Sequence, residues 1–529
     1  MSVSTNLARS TVRQLIELGI QDVVLSPGSR NAPLSLAFYY AEKKGLIRLH
    51  IRIDERSAAF FAIGIAKATG KYVPVVCTSG TAVANYYPAV LEAHHSDINL
   101  LLLTADRPAH LRKTGSNQTT LQSHIFGEFV RHSVDSAAAI DISHLLSGSG
   151  PVHINLQFDE PLLPQDSLDW LEGLHVNPPV VGTKTARELE LKSTKNLIIV
   201  GHDRAGFTVE DIEKFADKVA APIIAEDPLS FKNAVAHAPV IFSSEASRKT
   251  LIPETLFTFG RTTLSRTVNA FIKEAPNVIV IDPRAEHIDS ARSSNQVLHQ
   301  IPKISTKVAR NENWFELWKK FESFAMAAVS NFKEWGEPSA LAQIAKEIAT
   351  DTALFISSSR PIRDIESFAI PRSGITTYAN RGLAGIDGNI STAMGIASCH
   401  DETIAIIGDL AFLHDIGALV NKTSDPLTII VIDNNGGGIF STLPQRNIEG
   451  FERVFGTPHD QEIEKIVTGF GISNETVTSL SELHIAMQRI HPGLHVIVAK
   501  MPDRERNADF QLKIYSTYQD NSEIIESVP

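Results

Sequence analysis

Cysteine is nearly absent from this chain. Its two thiols, Cys77 and Cys399, lie far apart in sequence and make neither a disulfide framework nor a cysteine metal cluster. Both are expected to be buried structural thiols of a cytoplasmic protein. Long apolar runs are missing as well. Nowhere do 18 consecutive apolar residues occur, so no membrane span is expected. The stretch 1–20 lacks the compact apolar core of a secretory signal. Basic charge is in the minority, with 49 Lys and Arg against 60 Asp and Glu and a net charge of −11. An acidic chain without a basic stripe is a poor partner for nucleic acid. It also repels small anions at long range, so any anion site must be built from local arginines. Finally, no Gly-x-Gly-x-x-Gly follows an early strand, which removes the usual dinucleotide fingerprint.

What is present is alternation. Short apolar runs ending in turn residues alternate with helix-like stretches, the rhythm of parallel sheets with helices on both faces. A first block holds strands at Val23–Leu25, Leu49–Ile53, Val73–Cys77, Leu100–Leu103 and Val152–Leu156. Polar, proline-containing residues from Leu162 to Lys195 read as a linker. A second block has Leu197–Val200, Pro222–Ala225, Leu256–Phe259 and Val278–Ile281. A second linker is expected within Glu312–Pro338, along with a helix rich in Phe and Trp. The third block has Leu354–Ser357, Thr376–Tyr378, Thr403–Ile407, Leu427–Ile432 and His495–Ala499. The expected class is therefore α/β, with three doubly wound parallel-sheet domains at 1–175, 190–330 and 338–529, in a chain long enough for three or four domains.

Two turns in the third block carry the first chemical signal. Gly408-Asp409-Leu410 ends one strand, and Asn434-Asn435-Gly436 ends another. Asp409 and Asn434 are 25 residues apart, one helix and one strand, which puts both at the same edge of a parallel sheet. Open parallel sheets bind ligands there. A carboxylate, an amide oxygen and the Gly436 carbonyl can share one hard cation whose remaining positions go to diphosphate oxygens and water. Taken singly, each turn could also be an ordinary strand end, where Asp, Asn and Gly are common.

The pair resembles the metal-diphosphate motif of the thiamine-diphosphate enzymes, with Leu410 in place of the usual second glycine. Asp54-Glu55-Arg56, after the second strand of the first block, matches the same superfamily. The resemblance implies that Glu55 shares a proton with the cofactor's aminopyrimidine and so helps the thiazolium C2 lose its own. On its own, Glu55 could equally be a carboxylate stabilised by a helix N-terminus. In Gly385-Ile386-Asp387-Gly388, Ile386 matches the isoleucine that props the bent cofactor, and would otherwise be a core side chain. The resemblance also implies cofactor contacts from Gly385, Gly408, Leu410, Asn435, Ile439 and Phe440, and a metal, Mg²⁺ or Mn²⁺, held by Asp409, Asn434 and Gly436.

One branch matches along most of the chain. Ser26-Pro27-Gly28-Ser29-Arg30, Thr78 to Asn85, Thr104 to Pro108, Asn117-Gln118, Asn380-Arg381-Gly382 and Asn434 to Ser441 are similar to the 2-succinyl-5-enolpyruvyl-6-hydroxy-3-cyclohexene-1-carboxylate synthases of menaquinone biosynthesis. That family decarboxylates 2-oxoglutarate and adds the resulting carbanion to isochorismate. Both substrates are dicarboxylates, which suits arginine's planar fork. By this resemblance Arg363 and Arg381 would hold the succinyl-derived carboxylate. Ser29, Arg30, Arg107, Asn117, Gln118 and Arg266 would hold isochorismate, and Phe440 would wall the pocket. Some members carry a lysine where this chain has Ser265, with Arg261 as the candidate to compensate. His414 is expected to be a helix residue below the diphosphate and not an acid. The resemblance further implies a homodimer, possibly paired into a tetramer, with Glu55 from one chain and Asp409 from the other at each site. Two alternatives stay open from the residues alone: a thiamine-diphosphate carboligase or decarboxylase for another 2-oxo acid, and a non-catalytic nucleotide-binding protein.

Overall fold

In this computed structural model, residues 2–166, 169–177, 186–284, 294–305, 308–489 and 491–526 are described. The apolar runs form strands where they are expected, and polar strands join them at sheet edges. The chain divides into two compact units, one of residues 1–183, 382–401 and 413–425, the other of the remainder.

The first unit holds a six-stranded sheet: β1 (Asp22–Leu25), β2 (Arg48–Ile51), β3 (Val73–Cys77), β4 (Leu100–Asp106), β5 (His132–Ser136) and β6 (Val152–Gln157). Their order is β2-β1-β3-β4-β6-β5, with every pairing parallel. Central strands β3 and β4 are buried along their whole length, so each reads as continuous apolar sequence. One face of the sheet is covered by helices Val3–Glu17 and Ala32–Lys43 through Leu7, Val12, Leu15 and Phe38. Each such side chain contributes about 1.5–3 kcal/mol when fully buried.

Helix Glu55–Thr69 begins at an Asp54 cap, whose carboxylate accepts from the Arg56 and Ser57 amides, and stops at left-handed Gly70. From Ser57 to Ala66 it is buried on all sides, which a helix without a polar face must be. It crosses helix Asn389–Ala397, itself buried throughout. The crossing is tight at Gly64 and Gly395. A Cβ on the first would lie 2.2 Å from the Thr392 carbonyl, and one on the second 2.1 Å from that of Phe61. Ser57 and Ser391 hydroxyls meet at 2.8 Å, and buried Asp415 accepts from the Ser391 amide and hydroxyl.

The second unit carries two larger sheets. One contains β8 (Asn196–Val200), β9 (Ile223–Ala225), β10 (Thr255–Phe259), β11 (Val278–Ile281) and β12 (Gln296–Leu298), in the order β12-β11-β10-β8-β9. The other contains β14 (Ala353–Ile356), β15 (Thr376–Tyr378), β16 (Thr403–Gly408), β17 (Leu427–Asp433), β18 (Ser473–Val477) and β19 (Leu494–Lys500), in the order β15-β14-β16-β17-β19-β18. A two-stranded pair, β7 (Glu188–Leu189) with β13 (Lys303–Ile304), completes the list. Helix Glu312–Asn331 buries Trp314, Trp318 and Phe321 in the core beneath β8, β10 and β11. The aromatic-rich segment expected beside a linker is thus part of the hydrophobic core. Five strands went unread in the sequence, β5, β7, β12, β13 and β18, and all five are sheet edges, β7 lying in the stretch expected to be a linker. Edge strands can be short and polar because one side stays wet. Of the two cysteines Cys77 is buried, but Cys399 is only half-buried, which corrects the expectation of two buried thiols.

Candidate active site

In each six-stranded sheet the chain turns one way from its first strand and the other way afterwards. This creates a switch point between β1 and β3 and another between β14 and β16. Crevices beyond such strand ends are where doubly wound sheets bind ligands.

Asp409 follows β16 at the second switch point and is 3% exposed. Its Oδ1 accepts from the Leu410 amide at 2.6 Å and its Oδ2 from the Gly436 amide at 2.8 Å. Burial raises its pKa above the usual carboxylate range. Asn434, at the end of β17, is also buried. Its amide nitrogen donates to Glu337 at 2.5 Å, and Glu337 is itself paired with Arg360 at 2.8 Å. The other end of the amide, Oδ1, is buried and has no hydrogen-bond partner among the described residues. A buried amide oxygen left unpartnered is costly, and here it is an oxygen ligand turned away from its own network. Gly436 has φ 135°, and a Cβ there would lie 2.2 Å from the Gly456 carbonyl. Only glycine fits. Its own carbonyl accepts one bond, from the Gly438 amide at 2.9 Å, and keeps a second lone pair. Asp409 and Gly436 therefore meet across the two turns, and the oxygen donors expected from Asp409, Asn434 and Gly436 are of the kind a magnesium-type ion requires.

Sequence reasoning missed two members of this cluster. His459 Nε2 lies 3.3 Å from Asp409 and 3.6 Å from Asp433, and the hydrogen bond to Asp409 raises its pKa above the ordinary histidine value. Asn435 positions it, accepting the His459 and Asp460 amides at 3.1 and 2.9 Å. Glu337, which orients Asn434, lies 97 residues earlier in sequence. No spacing rule reaches either. Phe440 follows the motif and packs on Phe455 at 5.5 Å between ring centres, while Ile439 is half-buried beside it.

In the first unit Glu55 opens its helix in a half-buried position. Buried Cys77 and Tyr86 both have raised pKa values, chiefly from burial, with the charge of Glu55 adding to each. Ile386 is 39% exposed and Gly385 precedes it in an open turn. An exposed isoleucine between glycines is free to meet a ligand, which the alternative of a core side chain is not. His414 ends the helix Asp409–His414, is exposed, and accepts from Arg56 through its carbonyl, so its ring has no part in the cluster.

The arginines fall into two sets. At the first switch point Arg30 follows β1 and its Nη1 donates to the Phe158 carbonyl at 2.9 Å. Arg107 follows β4 and donates to Ser79 at 3.1 Å and to the Gln118 carbonyl at 3.5 Å. Burial, then the charge of Arg107, lowers the pKa of Arg30. Ser29, Asn117 and Gln118 are exposed, and Gln118 has a left-handed backbone at φ 53°. In the second unit Arg381 is 2% exposed and gives its Nε and Nη2 to Glu226, at 3.3 and 3.2 Å, and Nη2 also to the Thr262 carbonyl at 2.9 Å. Arg363 donates to the Leu264 carbonyl at 3.1 Å and the Ser359 carbonyl at 2.5 Å. Arg266 is exposed at the start of its helix. Ser265, where a lysine was noted as missing, is the cap of that helix and accepts from the Val268 amide. Arg261 lies 3.9 Å from Asp203.

Two family models cover the ends of the chain. Residues 5–126 match the N-terminal TPP binding domain of thiamine pyrophosphate enzymes, and residues 365–499 match the C-terminal TPP binding domain. A 2-succinyl-5-enolpyruvyl-6-hydroxy-3-cyclohexene-1-carboxylate synthase of Bacillus cytotoxicus is 34% identical over 96% of this chain and 95% of its own length. Proteins of the same name from Saccharopolyspora erythraea and Lysinibacillus sphaericus are 34% and 33% identical, over 94% and 97% of the chain and 95% and 97% of their own lengths. Glu55 falls inside the first matched domain, Asp409 and Asn434 inside the second. With that identity sustained almost end to end, the chain belongs to the 2-succinyl-5-enolpyruvyl-6-hydroxy-3-cyclohexene-1-carboxylate synthase family of thiamine pyrophosphate enzymes.

Proposed function

We propose that this enzyme decarboxylates 2-oxoglutarate and adds the remaining succinyl unit to isochorismate in a 1,4-addition, giving CO₂ and 2-succinyl-5-enolpyruvyl-6-hydroxy-3-cyclohexene-1-carboxylate. The observation that carries the proposal is the buried Asp409–Asn434 pair at a switch point, with Asn434 Oδ1 unpartnered. When bound, thiamine diphosphate supplies an acidic C–H and an electron sink for the carbon that loses CO₂. Asp409, Asn434 and the Gly436 carbonyl would hold Mg²⁺ or Mn²⁺ and through it the diphosphate. Gly408, Leu410, Asn435, Ile439 and Phe440 line the same turn. Gly385 and Ile386 support the bend of the cofactor, and Glu55 holds a proton at its aminopyrimidine. Ser29, Arg30, Arg107, Asn117, Gln118 and Arg266 receive the carboxylates of isochorismate. Arg363 and Arg381 receive the distal carboxylate of 2-oxoglutarate through the donors their own network leaves over. The working form is a cytoplasmic homodimer, with Glu55 of one chain serving the cofactor held by Asp409 of the other. The three domains occupy about 1–175, 190–330 and 338–529.

Product formation from 2-oxoglutarate and isochorismate, followed with CO₂ release, tests the reaction; CO₂ from pyruvate alone would overturn it. Mixing tests the shared site. Glu55→Gln should bind cofactor yet lose most turnover, and Asp409→Ala should lose metal-dependent cofactor binding. Co-expressed, the two inactive variants should recover about a quarter of wild-type turnover, because half the dimers are mixed and each mixed dimer has one intact site. No recovery would place both residues of a site in one chain.

A further inference from the structure

The amino ends of β18 and β19 carry a second cluster, at the opposite edge of the sheet from Asp409. Parallel strands end together, so residues that begin β19 cannot reach the turn that follows β16. In the β18–β19 register Ser473 faces His495 and Glu475 faces Ile497. Ser473, Glu475 and His495 therefore share one face. His491, four residues before His495, lies with its ring stacked on that of His495 at 3.5 Å between centres and 6° between planes.

Three ligand atoms converge, and the closest contact among them, between His495 and Glu475, is a long one. Glu475 Oε1, His491 Nε2 and His495 Nε2 are each buried without a hydrogen-bond partner among the described residues. One potential ligand atom from each of the three residues lies within 4.8 Å of the others. His495 is 2% exposed, and its Nε2 is 3.5 Å from Glu475 Oε1. Tetrahedral zinc with bonds of about 2.0–2.1 Å sets its ligands roughly 3.3 Å apart; the Glu475–His495 pair is near that spacing, and the stacked His491 and His495 rings must tilt apart for both lone pairs to meet one ion. The outer contacts also suit a metal. Ser473 Oγ meets His495 Nδ1 at 3.0 Å, and in the tautomer that donates from Nδ1 to this hydroxyl the Nε2 lone pair faces the cluster. Arg489 takes the far oxygen of Glu475 at 2.7 Å and leaves Oε1 to the histidines. As a purely structural cluster, a buried His491 Nε2 with no hydrogen bond beside one long His495–Glu475 contact would be poorly compensated.

We infer that Glu475, His491 and His495 form a binding site for a zinc-class divalent ion, separate from the cofactor metal, with water completing the coordination. Two imidazoles and one carboxylate favour zinc, cobalt or nickel over magnesium. The ion would tie the edge strand β18 and the loop before β19 to one another.

Zinc and cobalt titrations of untagged, chelator-treated protein test this, run in both the wild type and an Asp409→Ala background so that the cofactor-metal position is absent from the second. The expected result is one zinc per chain that survives Asp409→Ala and gives tetrahedral-type visible absorption with Co²⁺. His491→Ala and Glu475→Gln should each weaken it by more than the ~10–100-fold that loss of an outer-shell partner costs. Zinc-edge anomalous density in wild-type crystals should show a peak between the three side chains, and needs no variant to fold. No zinc bound in the Asp409→Ala background, affinity unchanged by His491→Ala, or a peak elsewhere would each overturn the site.

Discussion

Two arginine pairs of this molecule have different surroundings. Arg30 and Arg107 in the first unit face each other's charge, and carbonyls and a serine supply their close partners. The nearest carboxylate to the Arg30 guanidinium is exposed Glu160 at 3.8 Å. Arg363 and Arg381 in the second unit belong to a neutralised network. Glu226 accepts from Arg381 and from the amides of His202 and Leu264. Buried Glu366 has a strongly raised pKa, from burial first and then from the charge of Glu226. Like charges held together favour an arriving anion, whereas a buried pair already matched has less to gain. The first pair thus keeps its charge open to an arriving anion, as the proposed function requires. The second is built to keep its shape, with recognition left to its spare donors.

The largest effect that could break this contrast is on stability. Arg381→Ala strands Glu226 in the core and should cost about 3–5 kcal/mol, read as a lower denaturant midpoint; a midpoint within error of wild type would place Arg381 with the open pair. Acid should act on both units alike, because each buries a neutral histidine. Burial pushes His237 down to about 4 and His153 down to about 3. Both values lie below the unfolded one, about 6.5, so the unfolded chain takes up protons first. Stability is complete above about pH 6.5 and falls as pH drops toward about 4, by on the order of 3 kcal/mol for each group. Denaturation midpoints from pH 7.5 to 4.5 should show that slope, and His237→Asn should flatten part of it.

Arg107→Ala should do the reverse of Arg381→Ala. Its loss removes a charge-assisted bond of about 1.5–3 kcal/mol, raising KM for isochorismate at least tenfold while leaving the midpoint nearly unchanged. Unchanged KM would remove Arg107 from the substrate site. Ser265→Lys gives the smallest effect. The lost cap should cost about 1 kcal/mol, and KM for isochorismate should stay put if the cap is what this position does. A tenfold gain in affinity would show that the absent lysine matters.

The central strands were legible because burial on both faces makes them continuous apolar runs, as in β3, β4 and β17. The polar edges β5 and β18 were not, since Ser-Asn-Glu-Thr-Val carries no alternation a turn could not share. The pairing of the turns after β16 and β17 was legible for a similar reason. Asp409, Asn434 and Gly436 are fixed by spacing along a strand–helix–strand unit, which translates directly into one sheet edge. The place of Glu55, opening a helix soon after β2, was also legible.

Local order along the chain therefore determined the sheets, their switch points and the residues placed there, because strand ends and helix caps are set by neighbours in sequence. The tertiary structure alone decided who faces whom. Glu337 turns the Asn434 amide so that its oxygen is free, Glu226 claims Arg381, His459 leans on Asp409, and Glu475 meets two histidines across a strand pair. Each joins residues brought together by packing, and hydrogen bonds and charges are priced by distance in space, which sequence spacing does not record.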